Sequence, residues 1–330
     1  MLTRRHVVFG TAAGALHAAL PSALAQPAAP RAAAPAMPRV KVYIPANPGG
    51  GWDQTGHSLG RALQAGGLVQ QVDYENKGGK GGTLGLADFV VRHGDDPTAL
   101  LIGGMVMVGA IAVNRTEVTL ASVTPVARLT SDYMVLVTPA SSGLRDMKAL
   151  AAEMKRDLSK VGFAGGSAGG VDHMLAGMIA RTLRADPGVL QYHPTSSGQD
   201  ALALLHSGKA RVAISGYSEF KAGIDNGSLV PLAVSSRRAL FGIPSLREQG
   251  VDTELSNWRG VFAAGRISDA QKDTLRQAVV HATETPAWRQ ALAENNWHGS
   301  TLHGKDFTDF LEIEQGIANA VTLMLKLKTA

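Results

Sequence analysis

The stretch PANPGGGWDQTG, residues 45–56, decides how the chain is predicted to fold. It follows the apolar run VKVYI and precedes an amphipathic segment, so its three glycines lie where a strand ends and a helix begins. Ligands of open α/β sheets bind at this edge of the sheet. Because Gly49, Gly50 and Gly51 have no side chains, their N–H groups can approach a bound group closely, and the helix dipole favours an anion.

The residues around the glycines limit the interpretation further. Asp53 can cap the predicted helix and orient the glycine loop. A glycine turn that binds nothing is the alternative interpretation. Nucleotide-binding loops are excluded, because a P-loop needs lysine and Ser/Thr after its last glycine, and G-x-G-x-x-G does not fit the spacing.

Short apolar runs alternate with amphipathic segments along most of the chain. This alternation is typical of βαβ units around a largely parallel sheet, and 330 residues suffice for two lobes of an α/β fold. The predicted helices cover residues 53–64, 83–93, 145–157, 172–183 and 199–206. The C-terminal part is mostly helical, with a capping box at 268–271, an N-cap and proline at 285–286, and a last helix over 305–327.

Two more glycine-rich stretches lie between a predicted strand and a predicted helix. NKGGKGGTLG, residues 76–85, and GFAGGSAGGVDH, residues 162–173, are expected to line a cleft together with the first loop. Lys77 and Lys80 are better explained as solvated surface lysines than as ligand-binding charges. Ser167 is expected to offer a hydroxyl to the ligand, and His173 to tie its own loop in place.

The third loop also matches G-x-S-x-G, the nucleophile elbow of serine hydrolases. That alternative makes Ser167 a nucleophile and needs an acid and a base further along the chain, for which Asp200 or Asp252 and His298 or His303 are candidates. None of these has a distinctive context, and glycine-rich sequences match five-residue patterns often. An anion cradle explains the same residues without a triad, so no catalytic residue is predicted.

Hydroxyl groups cluster near further predicted strand ends. Thr195, Ser196 and Ser197 precede a helix, and Ser215 and Tyr217 follow a strand. Together they predict a polar, uncharged pocket rich in hydrogen-bond donors, which suits a carboxylate and lacks a general base. The ten histidines show no metal-ligand spacing and there is no cysteine, so neither a metal nor a cofactor is predicted.

The N-terminus has the features of an export signal. Arg4 and Arg5 precede a weakly apolar stretch, and Ala23-Leu24-Ala25 has the spacing of a signal-peptidase site, so cleavage is predicted after Ala25 and the periplasm is the expected location. The twin arginines leave both the twin-arginine and the general export route open. Residues 26–38 are interpreted as a flexible Ala/Pro leader. No basic run with interleaved aromatics occurs, so nucleic-acid binding is not predicted.

Taken together, the loops resemble those of a known family. The resemblance is carried, in order, by IPANPGGGWDQTGHSLGRAL, YENKGGKGGTLGLADFV, VGFAGGSAGGVDHMLAGMIA, residues 192–236 and NWRGVFAAG. These stretches are similar to the extracytoplasmic solute receptors of the tripartite tricarboxylate transporters, also called the Bug family. The resemblance covers the chain from about Val40 to its end, and GGGWDQT and NWRG resemble the tricarboxylate-receptor branch in particular.

The resemblance implies a type II periplasmic-binding-protein fold, in which two Rossmann-like lobes close over a ligand. Lobe 1 would comprise residues 39–135 and 260–330, and lobe 2 would comprise residues 136–259. The chain would cross between the lobes near residues 132–141 and 256–264. The expected ligand-binding residues combine the family pattern with the hydroxyl-bearing loops. They are Pro48, Gly49, Gly50, Gly51, Trp52, Asp53, Gly81, Gly82, Thr83, Gly166, Ser167, Ala168, Gly169, Thr195, Ser196, Ser197, Gly198, Ser215 and Tyr217.

The function implied by the resemblance is transport. The receptor would capture a small carboxylate, a di- or tricarboxylate such as citrate, by lobe closure and deliver it to the integral-membrane subunits of a tripartite permease. A sensory binding protein that presents a carboxylate to a sensor kinase is the first alternative, and the serine hydrolase is the second.

Overall fold

The computed structural model describes residues 37–195 and 197–326. The predicted signal peptide, its cleavage position after Ala25 and nearly all of the Ala/Pro leader lie outside these residues. Within the two described ranges, no helix combines the length and the apolar character needed to cross a lipid bilayer.

Strands and helices alternate through the described residues. The strands are β1 Met37–Ile44, β2 Val69–Asn76, β3 Ala99–Gly104, β4 Val123–Pro139, β5 Gly162–Gly165, β6 Gln191–Pro194, β7 Val212–Gly216, β8 Leu229–Val234, β9 Ser256–Ala264 and β10 His298–His303. The helices are α1 Gly51–Ala65, α2 Thr83–His93, α3 Met105–Asn114, α4 Met147–Asp157, α5 Val171–Thr182, α6 Gly198–His206, α7 Tyr217–Asp225, α8 Asp269–Thr283, α9 Pro286–Glu294 and α10 Gly304–Met324.

The strands form two sheets that share the long strand β4. The first sheet has the order β2-β1-β3-β9-β4, with β10 also on β4; the second has the order β4-β7-β5-β6, with β8 also on β4. Strand β1 is parallel to β2 and β3, and β5 is parallel to β6 and β7. Because the carboxyl ends of parallel strands meet at one edge, the loops that follow them gather there.

Strands β4 and β9 run antiparallel to their neighbours, so the sheet is mixed and less parallel than the alternation of elements predicts. Strand β4 pairs with β9 up to Tyr133 and with β7 and β8 from Met134 onward, and so passes from one sheet into the other. Its partner β9 pairs with β3 on its other side. The two segments expected as crossings are therefore paired strands; the lobe boundaries themselves stay a prediction.

Five of the sequence-derived helices are confirmed as α1, α2, α4, α5 and α6, with ends within two residues of the prediction. The capping box formed by Ser268 and Gln271 and the Thr285 N-cap with its following proline are also present. Helix α3 was not predicted, because MVMVGAIAVN continues the apolar run of β3 and has no polar face that would mark a helical period.

Helix α1 lies directly on the first sheet. A Cβ on Gly56 would come within 2.7 Å of Ile44 Cδ1, and one on Gly60 would overlap the Tyr74 hydroxyl. The helix buries Leu59 and Leu63 on this face. This close packing fixes the start of α1, and the glycine loop before it, relative to the ends of β1 and β2.

Candidate functional site

One large cleft lies where the loops of the two sheets meet, among the described residues. Its volume is about 1180 Å³, and its walls come from the loops after β1, β2, β5, β6 and β7, from β4 where it passes between the sheets, from the adjacent part of β9, and from residues 294–297. The three glycine-rich loops singled out in the sequence all contribute to these walls.

The first glycine loop is held by an aspartate behind it. Asp53 Oδ2 accepts a hydrogen bond from Gly49 N at 2.9 Å, and Oδ1 accepts one from Asn76 Nδ2 at 2.8 Å. Burial raises the pKa of Asp53. The two hydrogen bonds and the nearby His57 lower it by more than burial raises it, so the pKa of Asp53 lies below the usual value. Asp53 therefore positions the loop and does not line the cleft.

The second glycine loop packs against the first. Gly82 has a φ of 88°, and a Cβ there would come within 2.5 Å of the Trp52 ring. Thr83 is buried and donates its hydroxyl to the Lys80 carbonyl oxygen at 2.9 Å, so it too supports the loop. Glycine at position 82 thus allows both the left-handed backbone and the contact between the loops.

The third glycine loop, like the first, is held by an aspartate of the helix that follows it. Asp172, in the first turn of α5, accepts a hydrogen bond from Gly166 N through Oδ2 at 2.7 Å. Its side chain is buried, and burial raises the pKa of Asp172 to about 7, helped by the charge of Glu219 and opposed by the Gly166 hydrogen bond. Among the described residues, Oδ1 of Asp172 has no hydrogen-bond partner.

His173 ties this loop, as the sequence predicts. Its Nδ1 accepts a hydrogen bond from Gly169 N at 3.1 Å, and its ring stacks on Tyr192 with centroids 4.0 Å apart. Burial lowers the pKa of His173 to about 4, which keeps the imidazole neutral and able to accept at neutral pH. Gly169 faces helix α3, since a Cβ on Gly109 would come within 2.5 Å of its carbonyl oxygen.

Two of the predicted hydroxyls are engaged within the protein. Thr195 donates its hydroxyl to the Gly165 carbonyl oxygen at 2.8 Å, and Ser197 caps α6 by accepting from Asp200 N at 3.2 Å. The neighbouring Gly198 lies against Glu219, whose carboxylate would overlap a Cβ at that position. These hydroxyls shape the wall of the cleft.

Four helices begin at the cleft without a side-chain cap. The N-caps of α1, α2, α5 and α7 are the glycines Gly50, Gly82, Gly170 and Gly216, and all four line the cleft. Outside the cleft, α4, α8 and α9 are capped by Asp146, Ser268 and Thr285, whereas α3 and α10 have no side-chain cap; α6, which begins at the cleft, is capped by Ser197. The first N–H groups of a helix have no acceptor within the helix and carry partial positive charge. The cleft therefore offers several donors to an anion.

The cleft also contains charges that the sequence analysis did not predict. Arg259, on β9, lines the cleft although only 8% of its surface is exposed. Its Nη2 forms an ion pair with Asp132 Oδ2 at 2.6 Å, and its guanidinium carbon lies 4.8 Å from the centre of the Trp297 ring. Burial lowers the pKa of Arg259, while Asp132 and Glu219 raise it; an arginine stays charged under these conditions. The expectation of an uncharged pocket is therefore corrected.

Most of the nineteen residues expected to bind the ligand lie in the lining of the cleft. Those that line it are Gly49, Gly50, Gly51, Trp52, Gly81, Gly82, Gly166, Ser167, Thr195, Ser197, Gly198, Ser215 and Tyr217. Pro48, Asp53, Thr83, Ala168 and Gly169 lie outside the lining. Ser196 falls outside the described residues.

A cleft between two sheets joined by antiparallel strands is the architecture of a periplasmic solute-binding protein. Residues 61–321 match the family described as tripartite tricarboxylate transporter family receptor, and the chain belongs to this family. Receptors of this family are periplasmic, bind small carboxylates and work with tripartite transporters.

Individual relatives are distant in sequence. The UPF0065 protein in the tcbD-tcbE intergenic region of Pseudomonas sp. (strain P51) is 24% identical over 258 residues, which are 76% of this chain and 75% of that protein. The structure of R. palustris Rpa4515 with adipate matches with a TM-score of 0.73 at 18% identity, over 87% of this chain and 97% of the other. The structure of MatC (Rpa3494) from Rhodopseudomonas palustris with bound malate matches with a TM-score of 0.68 at 19% identity, over 86% of this chain and 98% of the other. The two structures support the fold.

The serine-hydrolase alternative is set aside on these findings. The family and the similar structures are solute-binding proteins, so the chain is a binding protein and not an enzyme. Ser167 begins a turn, in which its backbone carbonyl oxygen accepts a hydrogen bond from Gly170 N at 2.8 Å. Neither His298 nor His303, the bases that the alternative requires, belongs to the lining of the cleft.

Proposed function

We propose that this protein captures a small carboxylate in the cleft and delivers it to the integral-membrane subunits of a tripartite permease. The exported form would begin after Ala25 and act in the periplasm. A di- or tricarboxylate such as citrate is the ligand class that the sequence resemblance favours. The relatives from Rhodopseudomonas palustris are described with malate and with adipate, which agrees with a carboxylate ligand.

The convergence of uncapped helix N-termini on the cleft carries this proposal. A carboxylate that accepts hydrogen bonds from backbone N–H groups at the start of α1 or α5 would satisfy donors that lack acceptors within their helices. Arg259 adds a charged donor on the same side as α1, since a Cβ on Gly51 would come within 2.8 Å of its Nη2. Hydrogen bonds from charged donors are roughly twice as strong as neutral ones.

Closure of the cleft would couple binding to delivery. The loops of the first sheet and those of the second both face the cleft, so a ligand that contacts both walls would favour the arrangement in which they are closed. The proposed lobes, 39–135 with 260–330 and 136–259, would rotate about the point where β4 passes between the sheets, next to the start of its partner β9. A permease could then distinguish the closed, loaded receptor from the open one.

A thermal-shift screen of the purified protein tests the proposal. The panel pairs each mono-, di- or tricarboxylic acid with its uncharged amide, so that the members of a pair differ mainly in the carboxylate. A ligand present at a hundred times its Kd stabilises the folded state by about 2.7 kcal/mol. We expect at least one acid to raise the Tm and its amide to have no effect. Stabilisation by amides or cations without stabilisation by any acid would overturn the proposal.

A further inference from the structure

The two sheets share one apolar core. A single cluster of buried side chains includes Val42 and Leu101 from the first sheet and Phe163 and Ile214 from the second. Units that are joined through a large apolar interface do not move freely against each other. Closure of the cleft must therefore work against contacts between the two sheets.

Helix α10 is held on the first sheet. Its Phe307 and Phe310 pack edge-on against Trp258 of β9, with ring centroids 6.0 Å and 5.4 Å away, and its Glu314 accepts a hydrogen bond from the Trp258 indole N–H at 3.0 Å. Helix α10 also packs along α3, which follows β3 of the same sheet. We therefore expect α10 to move with the first sheet when the cleft closes.

Helix α5 is held on the second sheet. Asp172 in its first turn accepts from Gly166 N in the loop after β5, and His173 stacks on Tyr192 of β6. Its N-terminus lies at the cleft, and Gly177 lies about 10 Å further along the helix axis, at 1.5 Å per residue. We therefore expect α5 to move with the second sheet.

The end of α10 packs against α5 at Gly177. A Cβ on Gly177 would come within 2.6 Å of Leu325 Cδ2, and Leu325, the residue that follows α10, is only 7% exposed. Arg181, one turn further along α5, donates to the sulfur of Met324. Glycine inside a helix is less favourable than alanine, and at this position its missing side chain makes room for Leu325.

A second glycine brings α3 against the start of α5. A Cβ on Gly109, which is buried in α3, would come within 2.5 Å of the Gly169 carbonyl oxygen and within 3.3 Å of Met174 Sδ. Two helical segments of the first sheet thus contact one helix of the second sheet, each at a glycine. Both contacts depend on the present angle between the sheets, because closely packed groups lose their attraction over a separation of an ångström or less.

These contacts belong to a wide cleft. Its volume of about 1180 Å³ exceeds the roughly 300–1,000 Å³ of typical ligand pockets. The arrangement of the two sheets in the structure is therefore an open one. A rotation that closed the cleft would move α10 relative to α5 and take Leu325 out of its place at Gly177.

We propose that the packing of Leu325 against Gly177 holds the cleft open and thereby sets how tightly the ligand is bound. This rests on the proposed function, because it needs a ligand-binding cleft that closes. The apparent Kd of a ligand that binds the closed arrangement is its intrinsic Kd divided by the closed fraction. Weakening the contact raises that fraction and lowers the apparent Kd, although it also lowers the stability of the fold.

Calorimetric titration of Leu325→Ala with malate, adipate and citrate tests this proposal. For an acid that binds the wild type, we expect the Kd to fall at least three-fold while the Tm falls as well. Gly177→Ala displaces Leu325 from the other side of the contact and should lower the Kd at least two-fold. Simple loss of stability does not tighten binding, so the two effects can be told apart.

Leu311→Ala is the matched control. Leu311 is buried on α10 one turn after Phe307, on the helix face that packs on the first sheet. Its replacement should lower the Tm and leave the Kd unchanged. A Kd that stays the same or rises in both Leu325→Ala and Gly177→Ala would overturn the proposal and leave carboxylate capture in place. An equal fall of the Kd in Leu311→Ala would overturn it too.

A distance measurement between two spin labels tests the contact without any ligand. The chain contains no cysteine, so Val91→Cys on α2 and Ala222→Cys on α7, both exposed, place one label with each sheet. In the ligand-free protein, Leu325→Ala should shift the distribution of distances between the labels, and an unchanged distribution would overturn the proposal. If malate, adipate, citrate and the other acids of the thermal-shift panel all fail to bind the wild type, carboxylate capture fails, and this measurement alone decides whether the contact holds the cleft open.

Discussion

Replacing Asp172 with asparagine should change how stability depends on pH. In the folded protein burial raises the pKa of Asp172 from 3.8 to about 7. Between these values the unfolded chain has released the proton while the folded protein keeps it, so stability falls as pH rises. Each pH unit in this window costs about 1.4 kcal/mol. From pH 5 to pH 8 the carboxyl should therefore destabilise the wild-type protein by about 3 kcal/mol, a change that the neutral asparagine cannot cause.

Urea unfolding of the wild type and Asp172→Asn at pH 5, 6, 7 and 8 measures this effect. Asparagine retains an oxygen that can accept from Gly166 N, so the loop should keep its shape. The free energy of unfolding of the variant should rise relative to the wild type as pH increases. Asp53→Asn is the matched control with the opposite sign, because the pKa of Asp53 is lowered and its contribution is lost only at acidic pH. Parallel stability curves for the wild type and Asp172→Asn would refute a neutral, buried Asp172.

Two further predictions concern the walls of the cleft. Gly82→Ala should lower the free energy of unfolding by about 1–3 kcal/mol, because it forces a positive φ on alanine and a clash with Trp52. Gly67→Ala, with a φ of 65° and nothing within 4 Å, is the control and should cost less in the same urea titration; equal costs would contradict a role for the Trp52 contact. Arg259→Gln should cost about 3–5 kcal/mol, because it leaves a buried Asp132 unpaired. Adding Asp132→Asn should recover most of that loss in urea unfolding, and a double variant as unstable as the single one would show that the ion pair is not the cause.

The glycine loops could be located from the sequence because their signal is local. A strand, a run of glycines and a helix follow one another within about fifteen residues, and parallel pairing then brings the loops to one edge of the sheet. The hydrogen bonds that hold the loops are local as well. Asp53 accepts one from a backbone N–H group four residues away, and Asp172 accepts one from a backbone N–H group six residues away.

The charges of the cleft could not be predicted in the same way. Arg259 and Asp132 are 127 residues apart in the chain and come together only because β9 pairs with β4 in a register that sets Arg259 opposite Thr130 and Asn257 opposite Asp132. That register makes the two charged residues diagonal neighbours, within reach of a long side chain. The motif NWRG contributes to the resemblance but carries no local sign that its arginine enters the cleft.

A crystal structure of the protein with the tightest-binding acid tests the central claim most directly. Capture at the helix N-termini predicts carboxylate oxygens at about 2.7–3.2 Å from backbone N–H groups at the start of α1 or α5. It also predicts an oxygen of the ligand near the guanidinium group of Arg259, which lines the cleft. A ligand bound outside the cleft, or bound inside it with its carboxylate directed away from both helix ends, would contradict the account.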